Sequence, residues 1–396
     1  MAESAIIARI LASPLEVDAS AWNALLAQQS HPTPFMRHEY LAALHESQSA
    51  VPHTGWTPRF MTLWEGDMLV AACPLYIKSH SYGEYVFDWA WASAYEQHGL
   101  PYYPKAVVAV PFTPVPGARL LARDDTTRQW LVQALRQWCE DEGLSSLHVL
   151  FASDADVLTG ARQGLMLRHT VQFHWENASY QDFDDFLARL TQEKRKKIRQ
   201  ERRRVAEAGV TFRWALGADI TPSDWDFFYR CYERTYLEHG NPPYLTRAFF
   251  QQMAERMPEH WLLFIAEREG RPIASSLIAI DAAPFSASDP SRSQKPPRTA
   301  YGRYWGALEP VDCLHFEACY YQPLAWCIAH GVQRFEGGAQ GEHKMARALL
   351  PVQATSLHWL AHPAFADAVE RFLAREGAGV QEYLDHLQAR SPFRTA

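Results

Sequence analysis

Thr299-Ala300-Tyr301-Gly302-Arg303-Tyr304-Trp305 reads as a strand, residues 316–330 as a helix, and 332–336 as the next strand. Strand, helix and strand in succession are the unit from which α/β sheets are built. Just upstream, 261–267 and 272–280 form an extended pair around Gly270, and 355–360 gives a further strand downstream. The expected fold class is therefore α/β, with mixed sheets of the α+β kind.

Working outward, the second half begins near Val171. A helical pattern runs over 180–208, strand 210–214 follows, and helices come at 223–238 and 246–257. Residues 282–298 hold four prolines and four serines with little apolar content, which reads as a flexible insertion. A helix over 364–387 closes the chain. The first half follows the same plan. Asp18 or Ser20 caps a helix through Trp22, Leu25 and Leu26. Extended runs 59–64 and 68–77 flank Glu65-Gly66-Asp67, 106–112 is a β-branched run, 126–142 a helix and 147–151 a strand.

The halves resemble each other. Residues 36–44 match 245–253, each before a hairpin. The hairpin turns at Gly66 and Gly270 lie 204 residues apart, and Tyr82-Gly83-Glu84-Tyr85 and Tyr301-Gly302-Arg303-Tyr304 lie 219 apart. The 17-residue insertion falls between those markers in the second half only, which accounts for the difference. An internal duplication follows, with domains expected at 1–170 and 171–362 and a terminal helix and tail at 363–396.

Composition sets the outer bounds. Of 396 residues, 47% are hydrophobic and 21% charged, which is ordinary globular usage. A net charge of −7 means that phosphate or nucleic-acid affinity needs a local patch. No apolar run approaches a membrane span. Glu3 and Arg9 spoil the N-terminus as a signal peptide, and 1–15 reads instead as a first strand. The six cysteines are scattered without C-x-x-C, so they are expected reduced, in a cytoplasmic protein.

Four segments carry polar chemistry. In 194–204, eight of eleven residues are basic. On a helix, Ile198 and Val205 anchor one side while Arg195, Arg199 and Arg202 form a stripe, either a phosphate dock or a solvated face. Tyr301, Arg303 and Tyr304, followed by His315, Glu317, Tyr320, Tyr321 and Gln322, crowd a strand end and a helix start, where open α/β sheets hold ligands. His315 is a candidate base, as is Glu317 if burial raises its pKa; otherwise the two serve as cap and dipole partner. Gly337, Gly338 and Gln340 lie in a loop that exposes N–H groups, and Glu342, His343 and Lys344 add acid, base and cation. Lys78, His80 and Tyr82 follow a first-half strand and line either a cleft or an interface.

No Walker-A loop, G-x-G-x-x-G, G-x-S-x-G or H-E-x-x-H occurs. The histidines and carboxylates at 315–317 and 342–343 are too loosely spaced to predict a metal, and none is expected.

The strings YIKSHSYGEYVFDWAWASAYE, YYPKAVVAVPFTPVPG, EKRKKIRQERR, YGRYWG, LHFEACYYQ and FEGGAQGEHK, across roughly residues 31–358, resemble the bacterial FemAB-like family. That family is described as peptidoglycan biosynthesis or recognition proteins and is grouped with GNAT-type N-acyltransferases. The resemblance implies two tandem GNAT-like acyl-CoA N-acyltransferase folds and acyl or aminoacyl transfer to an amine. Acyl-CoA and aminoacyl-tRNA are the implied candidate co-substrates. A small-molecule or peptide amine, or a nucleotide-linked precursor, is the implied acceptor. Lys196, Lys197, Arg199 and Arg203 become candidate phosphate ligands. The usual acetyltransferase loop Q/R-x-x-G-x-G/A is not evident, and Gly337–Gly341 has a different pattern. In this reading His315, or Glu317 through a water, takes the amine proton, and N–H groups near Gly337 and Gly338 hold the oxyanion. Glu342 and His343 complete the candidate catalytic set. The competing classes are a non-catalytic binder of RNA or a phosphate-bearing cell-wall precursor through 194–204, and a metal-dependent hydrolase.

Overall fold

The computed structural model describes residues 5–281, 299–339 and 341–394. The expected flexible insertion 282–298 and Gln340 lie outside the described residues. The chain forms two compact units. The first comprises Met1–Thr170, Tyr244–Phe249 and Gln353–Tyr383, and the second Val171–Pro243, Phe250–Val352 and Leu384–Ala396.

In the first unit, β1 (Ile6–Leu11) pairs with β3 (Phe60–Glu65), which forms a hairpin with β4 (Met68–Cys73), and β4 meets β7 (Leu121–Ala122). β2 (Trp56–Pro58), β5 (Leu75–Lys78), β6 (Lys105–Val108), β8 (Ser146–Ala152) and the strand Leu350–Leu360 follow one another in sheet order. The run expected over 68–77 is thus two strands in different sheets. Pro74, which has no N–H to give a ladder, stands at the break. Helix α1 (Ala19–Ala27) is capped by Asp18, whose carboxylate accepts from Ala21 N–H at 2.8 Å. α2 (His38–Glu46), α3 (Trp89–Gln97), α4 (Asp125–Asp141) and α5 (Asp154–Arg162) complete the unit. Leu131, Leu135 and Cys139 of α4 pack on Leu147, Val149 and Val108.

β6 and β8 are parallel for three pairs, Ala106↔Leu147 to Val108↔Val149. The strand expected over 106–112 stops there. Gly117 bridges to Ala152, its N–H donates to Phe151 O at 3.0 Å, and Phe151 N–H donates to Ser356 Oγ at 3.0 Å. The gap beyond the parallel pairing is filled by the chain itself.

In the second unit the sheet order is β10 (Val210–Leu216), β11 (Trp261–Arg268), β12 (Arg271–Ile280), β13 (Thr299–Ala307), β14 (Arg334–Ala339) and β9 (Met166–Glu176), the last contributing from Val171 on. Its helices are α6 (Phe183–Arg189), α7 (Gln192–Glu207), α8 (Pro222–Glu238), α9 (Arg247–Arg256), α10 (Leu314–Phe316) and α11 (Gln322–Ala329), with α9 contributing from Phe250. α12 (Pro363–Ala389) contributes to the first unit through Tyr383 and to the second from Leu384. The helix expected over 180–208 breaks at Leu190 and Thr191. Leu190 is extended and bridges Phe393, and Thr191 N–H donates to Pro392 O at 2.9 Å. A tertiary pairing overrides helical propensity there.

Two further expectations need correction. The boundary at 362 moves, because from Gln353 onward the strand Leu350–Leu360 pairs antiparallel with β8 and belongs to the first unit. The two Y-G-x-Y markers are not equivalent: Tyr301–Tyr304 lies within β13, whereas Tyr82–Tyr85 is a loop with Gly83 and Tyr85 at φ of 81° and 61°. That loop folds over the fully buried Lys105 ammonium, which donates to Glu84 at 2.8 Å and to Asp88. The other markers agree, since α2 and α9 each precede a hairpin that turns at a left-handed glycine, Gly66 or Gly270. Among the described residues no helix is long and apolar enough to cross a membrane.

Candidate functional site

The second unit contains a fork. β13 and β14 are parallel and paired only at Thr299↔Arg334, Ala300↔Phe335 and Tyr301↔Glu336. Beyond that β13 runs on to Ala307 and β14 to Ala339 without pairing to each other. Two glycines shape the β14 arm. A Cβ on Gly337 would lie 2.3 Å from Leu349 Cδ2 and 3.0 Å from Phe173 O, and Gly338 has φ of 76°. Backbone this close to its neighbours admits no side chain.

The helix after β13 begins at α10, widens into a π turn over Glu317–Tyr321 and continues as α11. Gln322 N–H donates to Glu317 O, five residues back, and Pro323, which has no N–H, follows directly. Two positions apart on a helical backbone, His315 and Glu317 meet different surroundings.

His315 stands beside Trp305 of the β13 arm, ring centres 5.4 Å apart, with Tyr320 at 5.8 Å and His343 at 6.4 Å. Burial, with help from His343, Arg347 and Lys344, pulls its pKa down to about 4, so the ring is neutral. Tyr320 Oη and His343 Nε2 are 3.2 Å apart. Lys344 is buried and donates to Gly338 O of the β14 arm at 3.2 Å. Burial lowers the Lys344 ammonium to about 8. The structure thus brings His315, His343, Lys344, Gly337 and Gly338 to one fork.

Glu317 faces the basic helix. Its carboxylate accepts from Arg202 Nε at 3.2 Å and from Gln322 Nε2 at 2.7 Å. Burial raises its pKa against the pull of Arg202 and Gln322. Both residues line an open cleft of about 650 Å³, with Arg199 and Arg203 of α7 and the start of β10. Lys196 and Lys197 are exposed and do not line it.

The other expected residues lie elsewhere. Glu342 is exposed and pairs with Arg390 at 3.3 Å. Tyr304 is buried against Phe228, Tyr232 and Phe250, with Arg303 over its ring at 5.0 Å. Tyr301 is buried, its hydroxyl pKa pushed well up by burial and by Glu336 and Asp281. Tyr321 donates to Glu201. Lys78, His80 and Tyr82 belong to the first unit. There Lys78 is buried, with its Nζ 3.7 Å from the centre of the Trp56 ring and donating to Tyr82 O at 3.2 Å. Tyr82 is 60% exposed and His80 stands beside it, ring centres 5.4 Å apart.

Sequence reasoning missed three residues that hold the site. Glu201, the inward acid of α7, accepts from Arg347 at 2.8 and 2.9 Å. Arg347 donates to His343 O at 2.7 Å and covers Phe316 at 3.5 Å. The third is Glu336, at the crotch of the fork. It is buried, has His174 at 3.8 Å, and is raised by burial to about 8. A signal for Glu201 existed: it falls between Ile198 and Val205 on the anchoring side of an otherwise cationic run. Among the described residues no group of three metal-ligating side chains gathers.

A parallel strand pair that ends after three pairs occurs once in each unit, β6 with β8 and β13 with β14, within a duplicated GNAT-type fold. The chain belongs to the FemAB-like family, described as peptidoglycan biosynthesis/recognition, whose model matches residues 13–395. Three solved structures show the same fold. FemX has a TM-score of 0.52 at 9% identity, covering 89% of this chain and 98% of its own. The C-terminal domain of a putative lysylphosphatidylglycerol synthetase from Agrobacterium fabrum has 0.52 at 11%, covering 92% and 97%. L-PGS from Bacillus licheniformis has 0.50 at 11%, covering 90% and 97%. No curated protein matches the sequence.

Proposed function

We propose that the chain is an N-acyltransferase or aminoacyltransferase that works at the fork of the second unit. One observation carries this reading. Strand pairing ends at Tyr301↔Glu336, and the open arms are flanked by His315 beside Trp305 and by Lys344 on Gly338. In this reading the backbone N–H groups of Gly337 and Gly338 on the β14 arm serve as the donors to the carbonyl oxygen. Each such donor contributes about 3–4 kcal/mol to an oxyanion in other enzymes.

In the reaction, the neutral amine of the acceptor attacks the carbonyl carbon of an ester or thioester donor. The new C–N bond forms as the C–O or C–S bond breaks. His315, neutral at working pH, takes the amine proton and returns it to the leaving oxygen or sulfur. The Lys344 ammonium steadies the oxyanion between these steps. Arg199, Arg202 and Arg203 hold phosphates of the donor in the neighbouring cleft, and Glu317 orients Arg202. Membership of a peptidoglycan-related family supports a peptide or nucleotide-linked amine as acceptor, and aminoacyl-tRNA or acyl-CoA as donor.

The test pairs a donor screen with two variants. A donor that binds the native state raises the melting temperature. With that donor, His315→Ala and Lys344→Met are each expected to lower kcat about a hundredfold, with binding little changed. Unchanged turnover in both variants removes the fork from the chemistry.

A further inference from the structure

β10 is the edge of the second unit's sheet. It pairs with β11 in unbroken register from Val210↔Arg268 to Leu216↔Leu262. Among the described residues its other edge makes no backbone hydrogen bond. Folded proteins usually defend such an edge with proline, a bulge, an unpaired lysine or a covering segment. β10 has seven residues without proline or bulge, and its one charge, Arg213, is tied to Asp224 and Glu267 at 2.6 and 2.7 Å.

The cleft beside α7 is lined by Val210, Thr211 and Phe212 in succession. Consecutive strand residues point to opposite faces, so a cavity that touches all three reaches the strand along its edge. β11 occupies the other edge, so the cleft opens on the free one.

The cleft's charge selects its occupant. Three arginines, Arg199, Arg202 and Arg203, face two carboxylates, Asp184 and Glu317. Arg202 is held by Glu317, Asp184 reaches Arg199 at 3.6 Å, and among the described residues Arg203 has no ion pair. Further along the face of Phe212, Trp214 is 49% exposed and braced by Trp326 and His330, with ring centres at 6.0 and 5.6 Å. That is an apolar seat at strand spacing from the cationic cleft.

We propose that the free edge of β10 takes an extended acidic peptide as an added strand. Main-chain hydrogen bonds to β10 would supply affinity, with one acidic side chain toward Arg203 and one apolar side chain on Trp214. This surface does not rest on the transfer reading, since phosphates docking on α7 need no strand edge.

The probe is a fluorescein-labelled octapeptide of the repeat Thr-Glu-Thr-Val, which puts Glu and Val next to each other on one face, with full-length protein, read by anisotropy and by hydrogen exchange. Binding is expected to slow amide exchange within Val210–Leu216. Methylating alternate peptide nitrogens on the pairing edge should weaken binding about tenfold or more, because the donors are lost while charge and side chains remain. Arg203→Glu should weaken it by a similar factor. Three outcomes overturn the proposal. They are no binding, equal binding by the N-methylated peptide, and protection confined to Gln192–Glu207, as an oligouridylate on a nucleic-acid face would give.

Discussion

At the residue scale, Glu336 and Lys344 make opposite pH predictions. Burial raises Glu336 from 4.5 to about 8. The folded chain keeps a proton that the unfolded chain releases across that window, so stability from this group is present at low pH and is lost as pH rises through 8. Glu336→Gln mimics the protonated acid and cannot ionise. Its melting temperature relative to the parent should be near zero difference at pH 5 and about 2 °C or more higher at pH 9. Lys344 is lowered from 10.5 to about 8, so stability from this group rises with pH between those values. Activity should move the other way. If the ammonium steadies the oxyanion, kcat falls as pH passes about 8, and Lys344→Arg shifts the fall upward; a flat profile to pH 9.5 would dismiss that role. The sequence held a partial outline of these residues. His315, His343 and Lys344 were readable because reactive types clustered at element ends. Glu336 was not, because an acid inside a strand looks the same whether it meets solvent or a crotch between strands.

At the element scale, α7 has two jobs on two faces. Outward it presents Arg199 and Arg203; inward Glu201 binds Arg347, which in turn holds the His343 carbonyl. Glu201→Ala leaves a buried guanidinium without its acid and should cost about 3–5 kcal/mol in chemical denaturation. Glu201→Gln should cost less and still lower kcat more than it changes donor affinity, because it loosens the His343 loop and spares the arginines of the cleft. The inward face was half visible, since heptad-spaced Ile198 and Val205 announced an anchor. The break at Leu190 and Thr191 was invisible, because it is made by Pro392 and Phe393, about two hundred residues away in sequence. Helical periodicity carries no information about such a partner. The π turn was similarly hidden, although Pro323 stood beside it in the sequence.

At the scale of the whole molecule, the duplication was legible where local geometry repeats, in the helix before each hairpin and the glycine at each turn. It misled at Y-G-x-Y, where the same letters serve a strand in one unit and a loop around Lys105 in the other. The fork of the first unit is stopped by Gly117, Phe151 and Ser356. A tight donor analogue titrated into full-length protein should therefore saturate at one molecule per chain, and a stoichiometry of two would contradict this.

That stopped fork has a wider meaning for how the scaffold can change. The chain from Ala109 to Gly117 occupies ground that the second unit leaves open, so a filled fork and an open one coexist on one architecture. Swapping that loop for a shorter one would open a vacant berth in a host that already tolerates the architecture, which makes the first unit the natural place to graft a second chemistry.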